Sequence, residues 1–419
     1  IVFFFILFGI FQSIFEWSKI PMDFIDGTFA NLSAFASEHF VEGPFTNLIS
    51  QGIIPGIGGI LIFIPQIAFL FLFISILEES GYMSRVVFLM DKIMRKFGLS
   101  GKSIVPLISG TACAIPAIMA TRNIENWKER LITILVTPFT TCSARLPVYA
   151  IIIGLVIPDK RVFGVVNMQG LTLMILYLIG FGMAIISAFI LNKVLKLQCK
   201  TFFVVEMPNY KLPMFKNVVI NVVEKTKAFV FGAGKIILAI SVILWFLASY
   251  GPGEKFNNAE TILAAQNKNT TFSKDEIEGQ IAAYKLENSY IGVMGKTIEP
   301  LITPLGYDWK IGIALISSFA AREVFVGTLA TIYSVGGNDN DTTIKNKMAE
   351  EVNPKTGKKI FDFATGISLL LFYAFAMQCA STLAITKKET NSWKWPLVQL
   401  FIMSGFAYIV ALIAFQILK

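Results

Sequence analysis

Histidine and paired cysteines are scarce in this sequence. It has one histidine, His39, and four cysteines, Cys113, Cys142, Cys199 and Cys379, among which no CxxC pair occurs. Such a set does not predict a disulfide framework. Because His39 lies in a polar stretch, a metal site inside a membrane has to use sulfur, oxygen or backbone carbonyls instead of imidazole.

Charged residues are also few. They make up 15% of the chain, whereas 55% of the residues are hydrophobic and the mean hydropathy is +0.66. Soluble domains do not reach this balance, and apolar runs of about 20 residues are long enough to cross a bilayer as helices. The sequence therefore predicts an all-α, polytopic helical membrane protein. The net charge of +8 is spread over short loops beside the apolar runs, which indicates membrane topology rather than nucleic-acid binding.

The apolar runs divide into full-length spans and interrupted stretches. Membrane-spanning segments are predicted at about 1–17, 56–77, 130–157, 171–192, 226–250, 361–386 and 395–417. Two further apolar stretches, 102–121 and 310–333, are interrupted by Gly, Pro or charge. Such interruptions favour re-entrant hairpins or broken helices over plain spans.

The charges of the loops predict the orientation, since cytoplasmic loops collect Lys and Arg. The 18–55 loop is acidic and is placed outside, whereas the loop after 56–77 and the 193–227 loop are basic and are placed in the cytoplasm. The 251–310 stretch mixes both signs and is placed outside by counting spans. The chain begins at Ile1 rather than Met, so we expect a fragment of a longer protein.

A weak internal repeat, offset by 208 residues, links two stretches of the chain. The matching pairs are Gly98/Gly306, Lys102/Lys310, Leu107/Leu315, Ile108/Ile316, Ser109/Ser317 and Ala112/Ala320. Two crossings separate the spans that precede the copies, which predicts an inverted repeat of the kind found in transporters. The predicted segments are a first helix with an external loop (1–54), a first repeat (55–157), a connecting helix with a basic loop (158–225), a second repeat (226–335) and a C-terminal membrane segment (336–419).

Cys113 lies in SGTACAIPA, between Gly110 and Pro116. Proline removes an amide donor and obstructs the carbonyl four residues earlier, so this segment is prone to unwind and leave carbonyls free. A thiol beside such carbonyls is suited to bind a cation in transit. In the alternative interpretation Cys113 is a small buried residue at a close helix contact. The residues alone leave both interpretations open.

Cys142 repeats this pattern between Pro138 and Pro147, with Ser143 beside it. Arg145 follows, and an arginine within the membrane costs roughly 2.5 to 3.5 kcal/mol on insertion scales, so it should face the protein interior or a wet cavity. We therefore expect this segment to line a pathway. Alternatively, the hydroxyls satisfy backbone groups freed by the prolines, which explains Ser143 but not Arg145.

Further polar groups occur in two other apolar stretches. Cys379 has small polar neighbours that mark an inward-facing stripe, although such residues are also common at helix contacts. Arg322 and Glu323 stand in the middle of 310–333, where exposure to lipid is excluded. They either hold a broken helix together through ion pairs or, in the case of Glu323, bind a cation.

Several strings in the right order resemble the membrane region of the ferrous-iron transport protein B family (FeoB). They are IPQIAFLFLFISILEESGYMSR, GLSGKSIVPLISGTACAIPAIMATRNIE, TTCSARLPVYA, VEMPNYKLP, SSFAAREVFVGTLATIY and KKETNSWKWPLVQL. The resemblance covers almost the whole chain. It implies two inverted gate repeats with a C-terminal membrane segment, a bacterial inner membrane location and Fe(II) as the transported substrate. It also implies that the gate cysteines of the family correspond to Cys113, Cys142 and Cys379.

Taken together, these patterns predict a cation path near the membrane midplane that is lined by broken helices at 102–121, 130–157 and 310–333. Fe(II) accepts thiolate, hydroxyl and carbonyl ligands, and the ligands should be few so that the ion can leave. We expect Cys113 and Cys142 to be transient ligands and Cys379 to be a further pathway thiol. The gate or pathway charges and hydroxyls are expected to be Arg145, Ser143, Ser109, Ser317, Arg322 and Glu323.

The G domain of that family is not expected within these residues. GLSGKS at 98–103 has two residues between its glycines where a phosphate loop needs four. We therefore predict a transporter region rather than an enzyme, with no tightly bound cofactor and with GTP acting only through a G domain elsewhere in the parent. The expected partners are the lipid bilayer, Fe(II), that G domain, small accessory proteins of iron uptake and a second copy of the chain, with no nucleic acid.

Two other classes of function stay open. One is transport of an organic solute such as a nucleoside, or of another divalent metal, since a fold alone does not specify its cargo. A nucleoside site should bring several amides and carboxylates to the broken helices, where this sequence has thiols. The other is a scaffold without transport, which leaves Arg145, Arg322 and Glu323 without a purpose.

Overall fold

The protein is helical throughout the part of the chain that its computed structural model describes. This part comprises residues 2–40, 43–158, 161–162, 166–195, 211–259, 262, 274–319, 322, 324–332, 348, 351–352, 359–377 and 379–419. Strand structure within it is limited to a two-residue antiparallel hairpin, β1 (Arg161–Val162) with β2 (Val166–Asn167), and one isolated bridge. The predicted all-α class is confirmed.

The helices of the first part of the chain are joined by short 3-10 and π-helical turns. They are α1 (Val2–His39), α2 (Pro44–Asn47), α3 (Ile54–Leu61), α4 (Phe63–Glu79), α5 (Tyr82–Met94), α6 (Ile104–Ala112), α7 (Ala114–Ala120), α8 (Trp127–Val136) and α9 (Leu146–Val156). The 18–55 stretch, predicted as a loop, is mostly helical, since α1 continues to His39 and a π-helical segment covers Leu48–Ile53. Acidic charge indicates a side of the membrane and carries no information about helix content.

The helices of the second part are longer on average and include several apolar ones. They are α10 (Met168–Val194), α11 (Phe215–Phe229), α12 (Lys235–Ser249), α13 (Glu254–Asn257), α14 (Lys274–Glu287), α15 (Tyr290–Ile302), α16 (Trp309–Ser318), α17 (Val324–Ile332), α18 (Phe363–Phe375), α19 (Ala380–Thr390) and α20 (Lys394–Leu418).

Six helical runs of the described residues are long and apolar enough to cross a membrane. They are Pro44–Glu79, Trp127–Val156, Met168–Val194, Phe215–Ser249, Phe363–Thr390 and Lys394–Leu418. Each contains or closely overlaps one of the predicted spans, so the multi-pass membrane class is confirmed. The first predicted span, 1–17, lies almost entirely in α1, where the side chains of residues 1–16 are outside the described part.

Breaks interrupt several of these helices, as predicted for 102–121, 130–157 and 310–333. The first separates α6 from α7 at Cys113, the second separates α8 from α9, and the third separates α16 from α17. The span predicted at 361–386 also contains a break that was not predicted, because α18 ends at Phe375, Ala376 is extended (φ −57°, ψ 147°) and α19 starts at Ala380. No proline marks this break, which is why the sequence pattern did not reveal it.

The two copies of the internal repeat have the same local backbone structure at their first residues. Gly98 and Gly306 both adopt the left-handed conformation (φ 78° and 85°) at the end of a 3-10 turn. The amides of the next residues, Leu99 and Tyr307, then bond carbonyls five residues back, at 3.1 and 3.3 Å. The hairpin α6–α7 corresponds to α16–α17, and the broken span α8–α9 corresponds to α18–α19. The opposite orientation of the copies and the five predicted segments stay predictions.

Close contacts divide the chain into two units. Unit 1 comprises Ile1–Ser143, Ile179–Val242 and Ser381–Gln399, and unit 2 comprises Ala144–Leu178, Ile243–Ala380 and Leu400–Lys419. The division falls inside both broken spans, after Ser143 and after Ala380. Each unit therefore contains one half of each broken span.

Each unit has an apolar core of its own. In unit 1, side chains of α3, α4, α7, α8, α11 and α19 pack together, with Ile118 and Ile134 fully buried. In unit 2, Ile291, Ile313 and Ile332 pack with residues of α12 and α16. Close van der Waals packing of such side chains helps to hold the broken helices against their neighbours, since lipid tails are as apolar as the side chains themselves.

Candidate functional site

The first break of unit 1 lies at Cys113. Its backbone is extended (φ −155°, ψ 132°) between the end of α6 and the start of α7. Pro116 has no N–H group, so the carbonyl of Ala112 loses the donor that a continuous helix would provide four residues later. The thiol of Cys113 is partly buried and packs beside the apolar core of unit 1.

The second break of unit 1 starts after α8. A 3-10 turn covers Thr137–Phe139, and Thr140 is extended (φ −64°, ψ 135°). Pro138 withdraws the donor for the carbonyl of Ile134. The buried side chain of Gln399 supplies the replacement, since its Nε2 atom donates to the carbonyls of Ile134 and Leu135 at 3.3 and 3.1 Å.

The two breaks of unit 1 meet at one hydrogen bond. Ser143, next to Cys142, donates from Oγ to the carbonyl of Ala112, next to Cys113, at 2.8 Å. This is the carbonyl that Pro116 leaves without a helical donor. The Nε2 atom of Gln66 in α4 donates in turn to Ser143 Oγ at 3.0 Å. Both cysteines therefore lie one residue from the ends of the same hydrogen bond.

Glycines on two neighbouring helices allow the second break to approach closely. A Cβ atom on Gly110 of α6 would lie 2.4 Å from Thr140 Oγ1, and one on Gly180 of α10 would lie 2.8 Å from Thr141 Oγ1. Thr140 donates to the carbonyl of Thr137 at 2.7 Å. The hydroxyl of Thr141 is buried and has no hydrogen-bond partner among the described residues.

In unit 2, arginine side chains donate to the backbone carbonyls at the break between α18 and α19. Arg145, fully buried, donates to the carbonyls of Ala374 and Ala376 at 2.9 and 3.2 Å. Arg322 donates to the carbonyl of Ala376 at 3.2 Å and also bonds that of Met377. Two guanidinium groups thus converge on the C-terminal end of α18, where the helix dipole favours positive charge.

An aromatic side chain supports this arginine pair. The guanidinium of Arg322 lies 4.9 Å from the centre of the Tyr373 ring, and the Tyr373 hydroxyl donates to Ser318 Oγ at 2.9 Å. A cation over a ring in a desolvated place is stabilised by the ring quadrupole. Arg322 therefore contacts carbonyls of the break and an aromatic ring, whereas the ion pair expected from the sequence stays a prediction.

The breaks of unit 2 are linked in the same way as those of unit 1. The amide of Ala380, next to Cys379, donates to the carbonyl of Phe319 at the end of α16, at 2.8 Å. In both units the residue after the cysteine of the broken span thus bonds the end of the re-entrant helix. Unit 1 uses the side chain of Ser143, whereas unit 2 uses a backbone N–H group.

The remaining predicted site residues lie near these breaks or outside the described part. Cys379 is partly buried and directly precedes α19. Ser109 is buried in α6, and Ser317 is buried in α16 with its hydroxyl on the carbonyl of Ile313 at 3.0 Å. Glu323 lies outside the described residues.

The two sets of breaks differ in charge. Ser143 and Gln399, which donate to backbone carbonyls of unit 1, are neutral, as is Gln66, which donates to Ser143. Arg145 and Arg322 in unit 2 are cationic. Coulomb repulsion in a low-dielectric interior disfavours a divalent cation beside two guanidinium groups. The breaks of unit 1 present two thiols and neutral side-chain oxygens instead.

A buried carboxylate ties three helix ends of unit 1 together. Glu389 in α19 is 2% exposed and accepts hydrogen bonds from Arg122 Nε and Nη2 at 2.6 to 3.0 Å. Arg130 Nη2 in α8 donates to it at 2.8 Å. The bond to Glu389 raises the pKa of Arg122 above its ordinary value. The cluster joins the end of the α6–α7 hairpin to α8 and α19.

No three His, Cys, Asp or Glu side chains of the described residues form a group that could hold a metal ion. A metal ion at the breaks of unit 1 would therefore bind mixed sulfur and oxygen ligands. Such a set is compatible with a borderline-soft divalent ion and with weak, exchangeable binding.

Sequence reasoning missed three contributors. Gln66 was recognisable as a lone amide that follows Pro65 in an apolar run. Gln399 lies in an ordinary membrane span, and Glu389 lies among charges at the end of another, so their partners become visible only in the folded chain.

Comparisons with known proteins agree with the sequence resemblance. Residues 60–156 and 230–393 match the family model described as Gate, nucleoside recognition. Residues 173–225 match the model of the ferrous iron transport protein B C terminus. No solved structure shows a significant match.

The curated relatives are similar over nearly the whole chain. A protein named Fe(2+) transporter FeoB from Leptospira interrogans (serogroup Icterohaemorrhagiae serovar Lai, strain 56601) is 45% identical over 97% of this chain and 56% of its own length. Another from Leptospira biflexa is 44% identical over 99% of this chain and 57% of its own length. A protein named Fe(2+) transport protein A/Fe(2+) transporter FeoB fusion protein, from Porphyromonas gingivalis, is 34% identical over 98% of this chain and 49% of its own length. The chain spans about half the length of these relatives.

Proposed function

Because the chain belongs to the FeoB family as its membrane region, we propose that it conducts Fe(II) through a gated path across the bacterial inner membrane. The observation that carries this proposal is the meeting of two broken helices, each with a cysteine at its break, at the hydrogen bond from Ser143 to Ala112. Broken helices that converge inside a membrane are typical of ion and substrate sites in transporters.

The ligands for Fe(II) are the thiols of Cys113 and Cys142, with Cys379 as a further pathway thiol. The hydroxyl of Thr141 and the side-chain oxygen of Gln66 add harder donors beside them. Fe(II) accepts both kinds of ligand. Since the Ser143 hydroxyl is already committed to a hydrogen bond with the Ala112 carbonyl, this serine acts by positioning Cys142 relative to Cys113.

The buried arginines act as gate charges rather than as ligands. Arg145 and Arg322 hold the carbonyl end of α18, and their charge makes cation binding at that break weaker than at the neutral breaks of unit 1. Glu323 is a further gate charge in this proposal, and Ser109 and Ser317 are hydroxyls within the helices that form the breaks.

Control of the gate comes from outside this chain. We place a GTP-binding domain elsewhere in the parent polypeptide and a small accessory protein among its partners. The name of the Porphyromonas gingivalis relative, in which a transport protein A is fused to FeoB, supports the accessory partner. A homo-oligomer in the membrane is also part of the proposal.

The test is Fe(II) uptake into anaerobic proteoliposomes that contain the full-length parent. Cys113→Ser and Cys142→Ser should each reduce the initial rate at least about tenfold, since loss of a ligand removes of the order of 1.4 kcal/mol or more. Cys199→Ser, which changes a thiol outside the membrane spans predicted from sequence, serves as the matched control. Unchanged uptake in both variants, with equal protein incorporation, would refute the proposal.

A second candidate cargo is a nucleoside, because the matching Gate model is described as nucleoside recognition. It is tested in the same vesicles with a radiolabelled nucleoside. Nucleoside uptake that persists without Fe(II), together with no uptake of Fe(II), would favour this alternative. Competition by Mn(II), Zn(II) or Co(II) in the Fe(II) assay measures the selectivity among divalent metals.

A further inference from the structure

Helix α5 is too short to cross a membrane and follows a membrane span directly. It has 13 residues, begins after the left-handed Gly81 (φ 77°) and comes two residues after the run Pro44–Glu79 ends. A span of the hydrocarbon layer needs about 20 residues. The position of α5 in the chain therefore places it near the membrane boundary.

One face of α5 is packed against the rest of unit 1. Val86, Val87 and Met94 are buried, and the carboxylate of Asp91 accepts the N–H group of Gly101 at 2.9 Å. Asp91 also forms an ion pair with Arg95. The orientation of α5 on the protein is thus determined, and so is the face that it turns outward.

The outward face combines large apolar side chains with lysines. Phe88, Leu89 and Ile93 are 53%, 73% and 48% exposed. Lys92 is exposed beside them, and so is Lys96 in the 3-10 turn Arg95–Phe97 that continues α5. Their spacings of three and four residues place all five side chains on the same side of the helical segment. Because Asp91 is paired with Arg95, the net charge of this outward surface is positive.

This combination fits a membrane surface. Helices that lie in the plane of a bilayer insert Phe and Leu near the acyl boundary, while Lys side chains extend to the headgroups. The basic loop that contains α5 is predicted to be cytoplasmic, and the cytoplasmic leaflet carries anionic lipids. Charge complementarity therefore selects an anionic lipid surface as the partner.

We propose that α5 lies in the cytoplasmic membrane interface and binds anionic phospholipid headgroups through Lys92 and Lys96, with Phe88, Leu89 and Ile93 in the acyl boundary. The contribution of one lysine near an anionic surface corresponds to about a fivefold enrichment of anionic over zwitterionic lipid.

The test uses the full-length parent in nanodiscs with equal amounts of phosphatidylglycerol and phosphatidylcholine. The photoreactive residue p-benzoylphenylalanine replaces Leu89, and mass spectrometry identifies what it crosslinks. We expect phospholipid adducts with phosphatidylglycerol enriched about fivefold or more, and a ratio near parity in the Lys92→Gln/Lys96→Gln variant. The same probe at Ile409, an exposed position of α20, serves as the control and should show no such preference.

Three results would overturn the proposal. Equal labelling of both lipids at Leu89 with the lysines intact would refute headgroup recognition. Adducts with protein, either the G domain or a second copy, would show that α5 is a protein interface. Absence of any adduct at Leu89, with labelling at Ile409 preserved, would place the helix in water.

Discussion

Loss of both arginines that contact Glu389 should destabilise the protein more than the two single losses together. Glu389 is 2% exposed, and its carboxylate accepts bonds from Arg122 and Arg130. After Arg122→Gln it still has Arg130, and after Arg130→Gln it still has Arg122. After both changes a buried carboxylate lacks a cationic partner.

The magnitude follows from burial and exposure. Each charge-assisted hydrogen bond contributes about 1.5 to 3 kcal/mol, but Arg122 is about half exposed, so water replaces part of its bonding. We expect each single change to lower the free energy of unfolding by about 1 to 2 kcal/mol. The two single losses sum to about 2 to 4 kcal/mol, whereas an unpaired buried charge costs about 3 to 5 kcal/mol, so the double change should exceed the sum of the single ones by about 1 kcal/mol. Adding Glu389→Gln to the double change should restore most of the loss, since no buried charge remains.

The assay is unfolding of the purified protein in mixed micelles by added SDS, followed by circular dichroism at fixed protein concentration. Lys102→Gln is the matched control, because it removes a cation from the ion pair with exposed Glu125 and should leave the free energy of unfolding unchanged. Additive single changes, or a triple variant as unstable as the double one, would refute the argument from a buried charge.

Three further predictions concern packing, backbone satisfaction and pH. Gly180→Ala should lower the free energy of unfolding by about 1 to 3 kcal/mol through overpacking, because its Cβ atom would lie 2.8 Å from a threonine hydroxyl. Gly182→Ala on the same helix is the control, since its Cβ atom meets nothing within 4 Å. Equal SDS midpoints for the two variants would contradict this prediction. Gln399→Leu should lower the free energy of unfolding by about 1 to 3 kcal/mol. A double-mutant cycle should show a smaller loss in a Pro138→Ala background, because the backbone N–H group of residue 138 can then donate to the Ile134 carbonyl. Burial raises the pKa of Asp308 above its ordinary value, and this group contributes stability below its unfolded pKa that is lost as the pH rises through the folded pKa. Asp308→Asn, which keeps the helix cap, should therefore unfold at a higher temperature than wild type at neutral pH, with the gain disappearing near pH 4; a gain independent of pH would contradict the assignment.

The sequence alone determined the membrane class, six of the spans and three of the four breaks. Apolar runs of about 20 residues favour insertion because their side chains match the hydrocarbon layer, and they cross it as helices because lipid offers no partner to an unsatisfied backbone. The breaks near Cys113 and Cys142 were predictable because proline acts locally, on a carbonyl four residues earlier. The repeat around Gly98 and Gly306 could also be recognised from the sequence, since a left-handed backbone conformation favours glycine wherever it occurs.

Only the tertiary structure decided which groups take over the backbone that the breaks release. The break at Ala376 has no proline and is held by Arg145 and Arg322, which come from distant parts of the chain. Likewise, the donor for the carbonyl that Pro138 frees is Gln399, more than 260 residues away. A freed carbonyl predicts that a donor is needed, whereas the identity of the donor depends on which helices pack together, and packing is a property of the whole fold.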